Sequence, residues 1–176
     1  GDIVMTAGHG FGAVGGDIVL AGGNGSITSG KVLIYSGSSA SGSGPLTLTS
    51  ASSNFEGGSG EVKLGSGNAT AGNSGALIIN TGDSALSAGD IIVYVGASSG
   101  GPGGEVDIFG GNTTAANSNG GDVLIQGGAG LGEGSAGGTI NLIGGLSSTA
   151  TGGNIYLATG TSAAFRSGSM VLRTAD

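Results

Sequence analysis

Few side chains in this sequence can do acid–base, nucleophilic or metal chemistry. The 176 residues include one histidine, no cysteine, 11 acidic and 4 basic residues, and the formal net charge is −7. The histidine, His9, lies in a glycine-rich stretch, whereas a catalytic triad or a zinc site needs further partners at defined spacing. Without cysteine there is no thiolate nucleophile, no thiolate metal ligand and no disulfide. The sequence therefore predicts a protein that is not an enzyme and that needs no cofactor.

The carboxylates recur at one place, directly after a glycine that opens a repeated pattern. They are Asp2, Asp17, Glu61, Asp90, Glu105 and Asp122. If alternate copies of the pattern stack, Asp90 comes beside Asp122, and such a pair attracts a hard cation such as Ca²⁺. We favour the simpler interpretation, a solvated row of charge that discourages edge aggregation. Because phosphate contacts need clustered lysine and arginine, the four scattered cations also predict no nucleic-acid partner.

These charges belong to a pattern that repeats twelve times along the chain. Each copy reads glycine, any residue, apolar, any residue, apolar, two further residues, then glycine or alanine, and the leading glycines are 14 to 17 residues apart. All 24 apolar slots hold Ile, Leu, Val or Met. Alternation with period two is typical of a strand that buries one face. Each copy is therefore predicted to be a short strand, and residues 1–176 a single array of twelve repeats without evident caps.

The two apolar slots of each copy form the predicted core ladder. Its members are Ile18, Leu20, Val32, Ile34, Leu46, Leu48, Val62, Leu64, Leu77, Ile79, Ile91, Val93, Val106, Ile108, Val123, Ile125, Ile140 and Leu142. The outermost copies add Ile3, Met5, Ile155, Leu157, Met170 and Leu172. In a stacked array these side chains meet in one dry interior, where each contributes about 1.5–3 kcal/mol when fully buried.

The linkers decide the architecture that the repeats predict. They are rich in Gly, Ser, Ala, Asn and Thr and are too short for a crossover helix. A fixed period with short linkers is typical of a solenoid. The prediction is all-β, a right-handed parallel β-solenoid of about six coils of ~30 residues with two strands each. Large apolar residues in alternate linkers, at Ile27, Phe55, Leu86 and Leu146, favour this over the alternative of about twelve coils of ~15 residues.

A second set of apolar side chains alternates with the core ladder and faces the other way. They are Val4, Leu33, Tyr35, Ile92, Tyr94, Leu124 and Tyr156. An exposed apolar patch usually marks an interaction surface. We therefore predict a lateral contact face here, with a second copy of the chain as partner and head-to-tail stacking along the axis.

The peptides GGDIVLAGG, GGDVLIQGG and GGTINLIGG resemble the Gly/Ser-rich parallel β-solenoid repeats of extracellular surface, adhesin and filament proteins. The resemblance implies a structural, non-enzymatic subunit or segment of an extracellular filament, stalk or adhesin shaft, located outside the cell or at its surface. It implies no catalytic or ligand-binding residue. No apolar run approaches the ~18 residues of a membrane-spanning helix.

The alternative function is a binding module that uses one flat face, for polysaccharide or for ice. Tyr35, Tyr94 and Tyr156 recur on alternate sets of repeats, and aromatic rings serve as platforms for sugars. Ice binding needs a regular outward array of threonine, and only Thr47 and Thr49 form such a pair within one segment. Self-assembly is therefore the preferred function, and polysaccharide is kept as a possible second partner.

Overall fold

The computed structural model describes residues 1–12, 14–54 and 57–174. Regular structure in that part of the chain is one antiparallel hairpin, formed by β1 (Ser38–Ser39) and β2 (Gly42–Ser43). Ser38 pairs with Ser43, and Ser39 pairs with Gly42. The Ser39 hydroxyl donates to the Gly42 carbonyl at 2.9 Å and so closes the tight turn. None of the described residues forms a helix.

The predicted fold class is therefore wrong. Neither the solenoid of six ~30-residue coils nor the alternative of twelve ~15-residue coils is present, because a solenoid needs parallel backbone ladders between coils. Among the described residues the one ladder is the antiparallel hairpin of β1 and β2. The alternation of apolar residues determines which side chains share one face of a segment, but it does not provide a second strand for that segment to pair with. The chain's 44 glycines also make ordering its backbone costly in conformational entropy.

Period two is nevertheless visible in the local geometry of the repeats. The Asn154 side-chain amide donates to the Tyr156 hydroxyl at 2.8 Å, across the intervening Ile155. Lys63 Nζ lies 3.9 Å from Glu61 Oε1 in the same relation. Side chains two positions apart thus share one side of the segment, as in an extended chain. In these two segments the polar pair takes one side and the apolar slots the other.

The linkers between repeats are closed by a recurrent backbone hydrogen bond. The leading glycine of the next repeat donates its N–H to the carbonyl of the glycine that ends the previous segment, with N···O distances of 2.8–2.9 Å. The donor and acceptor pairs in the described residues are Gly16 and Gly8, Gly30 and Gly23, Gly44 and Gly37, Gly121 and Gly111, Gly138 and Gly128, Gly153 and Gly145, and Gly168 and Gly160. The two ends of each of these linkers therefore meet, as in an Ω-loop.

At some of these closures the backbone approach is so close that the residue before the acceptor glycine must also be glycine, whereas Ala7, Ser36 and Thr159 occupy that place at three others. A Cβ atom placed on Gly110 would lie under 3.0 Å from the carbonyl oxygen of Gly121, and one on Gly144 would lie as close to that of Gly153. The obstacle in both cases is backbone, which cannot rotate away as a side chain can. Any other residue at these positions must push the two ends of the linker apart.

The chain divides into two units, Gly1–Asp83 and Ser84–Asp176. The first contains the hairpin and the linker closures at Gly16, Gly30 and Gly44. In the second, hydroxyl groups accept backbone N–H groups two or three residues ahead and bend the linkers, a local motif of serine and threonine. The acceptors are Ser84, Ser98, Thr113, Ser147 and Ser162. That the two units form one array stays a prediction.

Neither unit has a hydrophobic core among the residues that the structure describes. The described residues include no buried hydrophobic and no buried polar side chain. The accessible surface of the chain is 17419 Å², whereas a compact protein of this mass exposes about 7,500 Å² and its unfolded chain about 23,500 Å². The large linker residues are fully open too, with Ile27, Leu86 and Leu146 at 95–98% exposure, while Phe55 lies outside the described residues. These linker residues therefore give no support to the predicted ~30-residue coil.

Candidate functional site

The most extensive chemical feature of the molecule is its exposed apolar surface. The first apolar slots from Ile18 to Met170 are 47–58% exposed, and the second slots from Leu20 to Leu172 are 56–86% exposed. We call these two sets together the apolar rows. Each unit carries six copies, with leading glycines at 1–75 in the first unit and at 89–168 in the second. Each unit therefore presents its own share of the rows to solvent.

The structure places the whole predicted core ladder in these rows, at exposures from 47% for Ile140 to 74% for Val93. No member is buried. A buried ladder needs a second layer of chain against it, and the described residues provide none. From Ile18 onward, the first slots are less exposed than the second slots of the same repeats. The rows are thus positioned locally by alternation and left uncovered.

The predicted lateral contact face is also exposed, and more strongly so. Its members, Val4, Leu33, Tyr35, Ile92, Tyr94, Leu124 and Tyr156, are 65–85% exposed. The tyrosines form no ring pair with one another in the described part of the chain, where His9 and Phe11 make the one aromatic contact, edge to face at 6.0 Å. Both sides of several segments are therefore apolar and exposed to solvent. The lateral face is thus as available for contact with a partner as the apolar rows are.

Within the described part of the chain, the residues able to do chemistry form no cluster of three or more metal-binding side chains. The described residues contain no group of three or more His, Asp or Glu side chains able to hold a metal ion, and Asp90 and Asp122 belong to no such cluster. His9 touches Phe11 rather than a carboxylate. The depressions near Ser38 and near Val171 are shallow and open to solvent. None of the described residues belongs to a helix with the length and hydropathy that a membrane crossing requires.

Two kinds of structural residue escaped the sequence reasoning. The first are the closing glycines; at three of the seven described closures, those that end at Gly121, Gly138 and Gly153, the signal is a glycine doublet at each end of the linker, as in Gly110-Gly111 before Gly120-Gly121. The second are the hydroxyl acceptors, whose signal is a serine or threonine recurring about every 15 residues, as at Ser84, Ser98 and Thr113. Both signals concern local closure of the chain, whereas the alternation of apolar residues concerns burial. They point to a unit of one segment and one closed loop.

Comparison of the chain with protein-family models, with curated proteins and with solved structures found no match. The resemblance to extracellular repeat proteins therefore stays a prediction.

Proposed function

We propose that this chain is a structural, non-enzymatic repeat segment that works by associating with further copies of itself through its apolar rows. The observation that carries the proposal is the exposure of every described large hydrophobic side chain. A soluble monomer rarely leaves a contiguous apolar surface above a few hundred Å² without a partner. Association is the simplest way to remove this surface from water.

The area of the apolar rows is sufficient for a stable interface. At about 25 cal/mol per Å², the 1.5–3 kcal/mol of a fully buried aliphatic side chain corresponds to roughly 60–120 Å². The 24 slots, at a typical exposure near 60%, therefore present on the order of 900–1,700 Å². A standard protein interface buries about 800 Å² on each partner. Each unit of one copy, with 12 of the slots, thus offers on the order of 450–850 Å², which is near the area that one stable contact needs.

The rows also favour an open assembly over a closed dimer. They run through all twelve repeats, so a neighbour that covers some slots leaves others free for the next copy. A contact between unlike surfaces of two copies generates a filament when its rotation does not close. We therefore propose that the assembly is a filament, stalk or matrix, and the repeat resemblance supports a location outside the cell or at its surface.

The chemistry of the chain supports a non-catalytic role. The single histidine contacts a phenylalanine ring, and the sequence has no cysteine. The net charge of −7 causes electrostatic repulsion between copies, which opposes contact between their apolar rows. Self-association should therefore become stronger when salt screens this repulsion, since the Debye length falls from ~10 Å at 0.1 M to ~3 Å at 1 M.

Sedimentation velocity across a range of protein concentration and salt, with electron microscopy of the same samples, tests this proposal. We expect monomers at low concentration, and large species that grow with concentration and with added salt and are elongated and uniform in width. A chain that remains monomeric at every concentration and salt would contradict it. Binding of monomers to a polysaccharide column without self-association would favour the alternative of a binding module instead.

A further inference from the structure

Two segments of the chain stand out as templates for backbone pairing with another copy. The six residues 31–36 read Lys-Val-Leu-Ile-Tyr-Ser and the six residues 90–95 read Asp-Ile-Ile-Val-Tyr-Val. Both are rich in β-branched and aromatic residues and contain no Pro or Gly, which is the composition of segments that pair strongly as strands. We call them segment K and segment D, after Lys31 and Asp90. Each occupies the same place in its repeat, directly after a leading glycine.

The backbone of both segments is free to pair. Among the described residues, the backbone hydrogen bonds outside the hairpin all join linker residues or the glycines that flank a linker, and none involves residues 31–36 or 90–95. The apolar side chains of segment K, from Val32 to Tyr35, are 50–83% exposed, and those of segment D, from Ile91 to Val95, are 44–81% exposed. An exposed extended segment with unpaired N–H and C=O groups is a template for strand addition.

The charges select which segments pair. In a parallel, in-register pair of two K segments, Lys31 would lie beside Lys31, and two D segments would place Asp90 beside Asp90. Like charges directly opposite each other destabilise a sheet, whereas opposite charges stabilise it. Pairing K with D in the same register puts Lys31 beside Asp90 and Tyr35 beside Tyr94, and both are favourable cross-strand neighbours. The favoured partner of each segment is therefore the other one.

We infer that segment K of one copy adds as a parallel strand to segment D of a second copy, with Lys31 beside Asp90, and that this contact nucleates assembly. This inference rests on the proposed function and gives it a partner and a register. The contact is head-to-tail. The copy that contributes segment K keeps its segment D free for another neighbour, and the copy that contributes segment D keeps its segment K free. Such a contact extends into a filament rather than closing. The apolar rows of neighbouring repeats then supply most of the buried area.

Charge-exchange variants test the pairing. Lys31→Asp replaces an attractive neighbour by a repulsive one and is expected to weaken association about fivefold in sedimentation velocity near 0.15 M salt. The double variant Lys31→Asp with Asp90→Lys should restore it. Lys63→Asp is the matched control, because it changes the net charge equally but lies in neither segment. At ~1 M salt the variants should converge, since screening removes the charge term.

Disulfide trapping tests the register, and the absence of native cysteine makes it clean. When a Ser36→Cys variant is mixed with a Val95→Cys variant, the parallel register places the two thiols opposite each other, and a mixed disulfide dimer should form on oxidation. An antiparallel pair of the same two segments would instead place Ser36 opposite Asp90, so Ser36→Cys mixed with Asp90→Cys is the control mixture. Mass spectrometry distinguishes the mixed dimers from the two homodimers.

The outcomes separate the inference from the proposed function. Rescue by the double exchange together with the 36–95 disulfide supports the pairing of K with D. Equal association of Lys31→Asp and Lys63→Asp, or preferential trapping of the 36–90 mixture, overturns the pairing while self-association stands. A wild-type chain that never associates overturns both.

Discussion

Placing aspartate at the first apolar slot of three successive repeats, Ile140→Asp, Ile155→Asp and Met170→Asp in one chain, is expected to abolish self-association. These side chains are 47–49% exposed, and association removes most of the remaining apolar area. Each substitution forfeits on the order of 1 kcal/mol of apolar burial and adds a carboxylate that resists desolvation. The combined loss exceeds a hundredfold in the association constant. Sedimentation velocity at a concentration where the wild-type chain assembles measures it.

A linker variant provides the matched control for this experiment. Leu131→Asp, Leu146→Asp and Phe165→Asp together add the same charge at apolar residues that are 88–98% exposed and lie outside the rows. This variant should associate with nearly the strength of the wild-type chain. Equal loss in both variants would show that net charge, rather than the apolar rows, controls association.

The triple variant in the apolar rows, Ile140→Asp, Ile155→Asp and Met170→Asp, also tests whether the rows are exposed or form a buried core within one copy. In a solenoid, one aspartate at an inward position such as Leu48 or Ile125 would abolish folding, because an unpaired charge would be buried. Those side chains are 62% and 63% exposed here. We therefore expect the circular dichroism spectrum of the dilute chain to be unchanged by Leu48→Asp or by the triple variant. Loss of the dilute spectrum would mean that the rows are buried within one copy.

The second large effect concerns the glycine doublets at both ends of three linkers, which the closures at Gly121, Gly138 and Gly153 join. Alanine at Gly110, Gly127 and Gly144 would place each Cβ under 3.0 Å from a carbonyl oxygen across the closure. The backbone must separate, and the hydrogen bonds donated by the leading glycines across the linker are then lost, each worth about 0.5–1.5 kcal/mol net. The temperature coefficients of the Gly121, Gly138 and Gly153 amide protons in NMR spectra should shift to values typical of solvent-bonded amides.

The second glycine of each doublet gives a close control for the closures. A Cβ on Gly111, Gly128 or Gly145 meets nothing within 4 Å. Gly111→Ala, Gly128→Ala and Gly145→Ala should therefore leave the closures intact. Both triple variants remove three glycines from the unfolded ensemble, so that contribution to stability is the same in each. Equal behaviour of the two variants would contradict close backbone approach at the first doublet position.

The sequence pattern predicts local arrangement better than partners. The alternation around Ile155 predicts that Asn154 and Tyr156 share one side of the chain, and their side chains hydrogen-bond there. The same alternation also predicts parallel stacking of all twelve segments, and that prediction is wrong. A side-chain period carries information about faces, whereas stacking depends on whether burial exceeds the entropy of ordering a chain with one glycine in four residues.

For the candidate site, too, the sequence predicts which side chains share a face but not what covers that face. Which side chains form the apolar rows is readable from the sequence, from Ile18 to Leu142. Whether the rows are buried within one copy cannot be read from the sequence. A row that packs against a second layer of the same chain and a row that packs against another copy have the same composition. Three of the seven described glycine closures, those that end at Gly121, Gly138 and Gly153, can be read from the sequence, since two adjacent glycines at both ends of a loop are typical of close backbone approach.

Hydroxyl-radical footprinting of the apolar side chains, on the dilute chain and on the assembled protein, is the most direct test of where the rows are buried. We predict that the slots from Ile18 to Met170 label readily in the dilute chain and become protected on assembly, while Leu131 and Leu146 label equally in both states. Protection of the slots already in the dilute chain would contradict the exposed rows on which the proposed function depends.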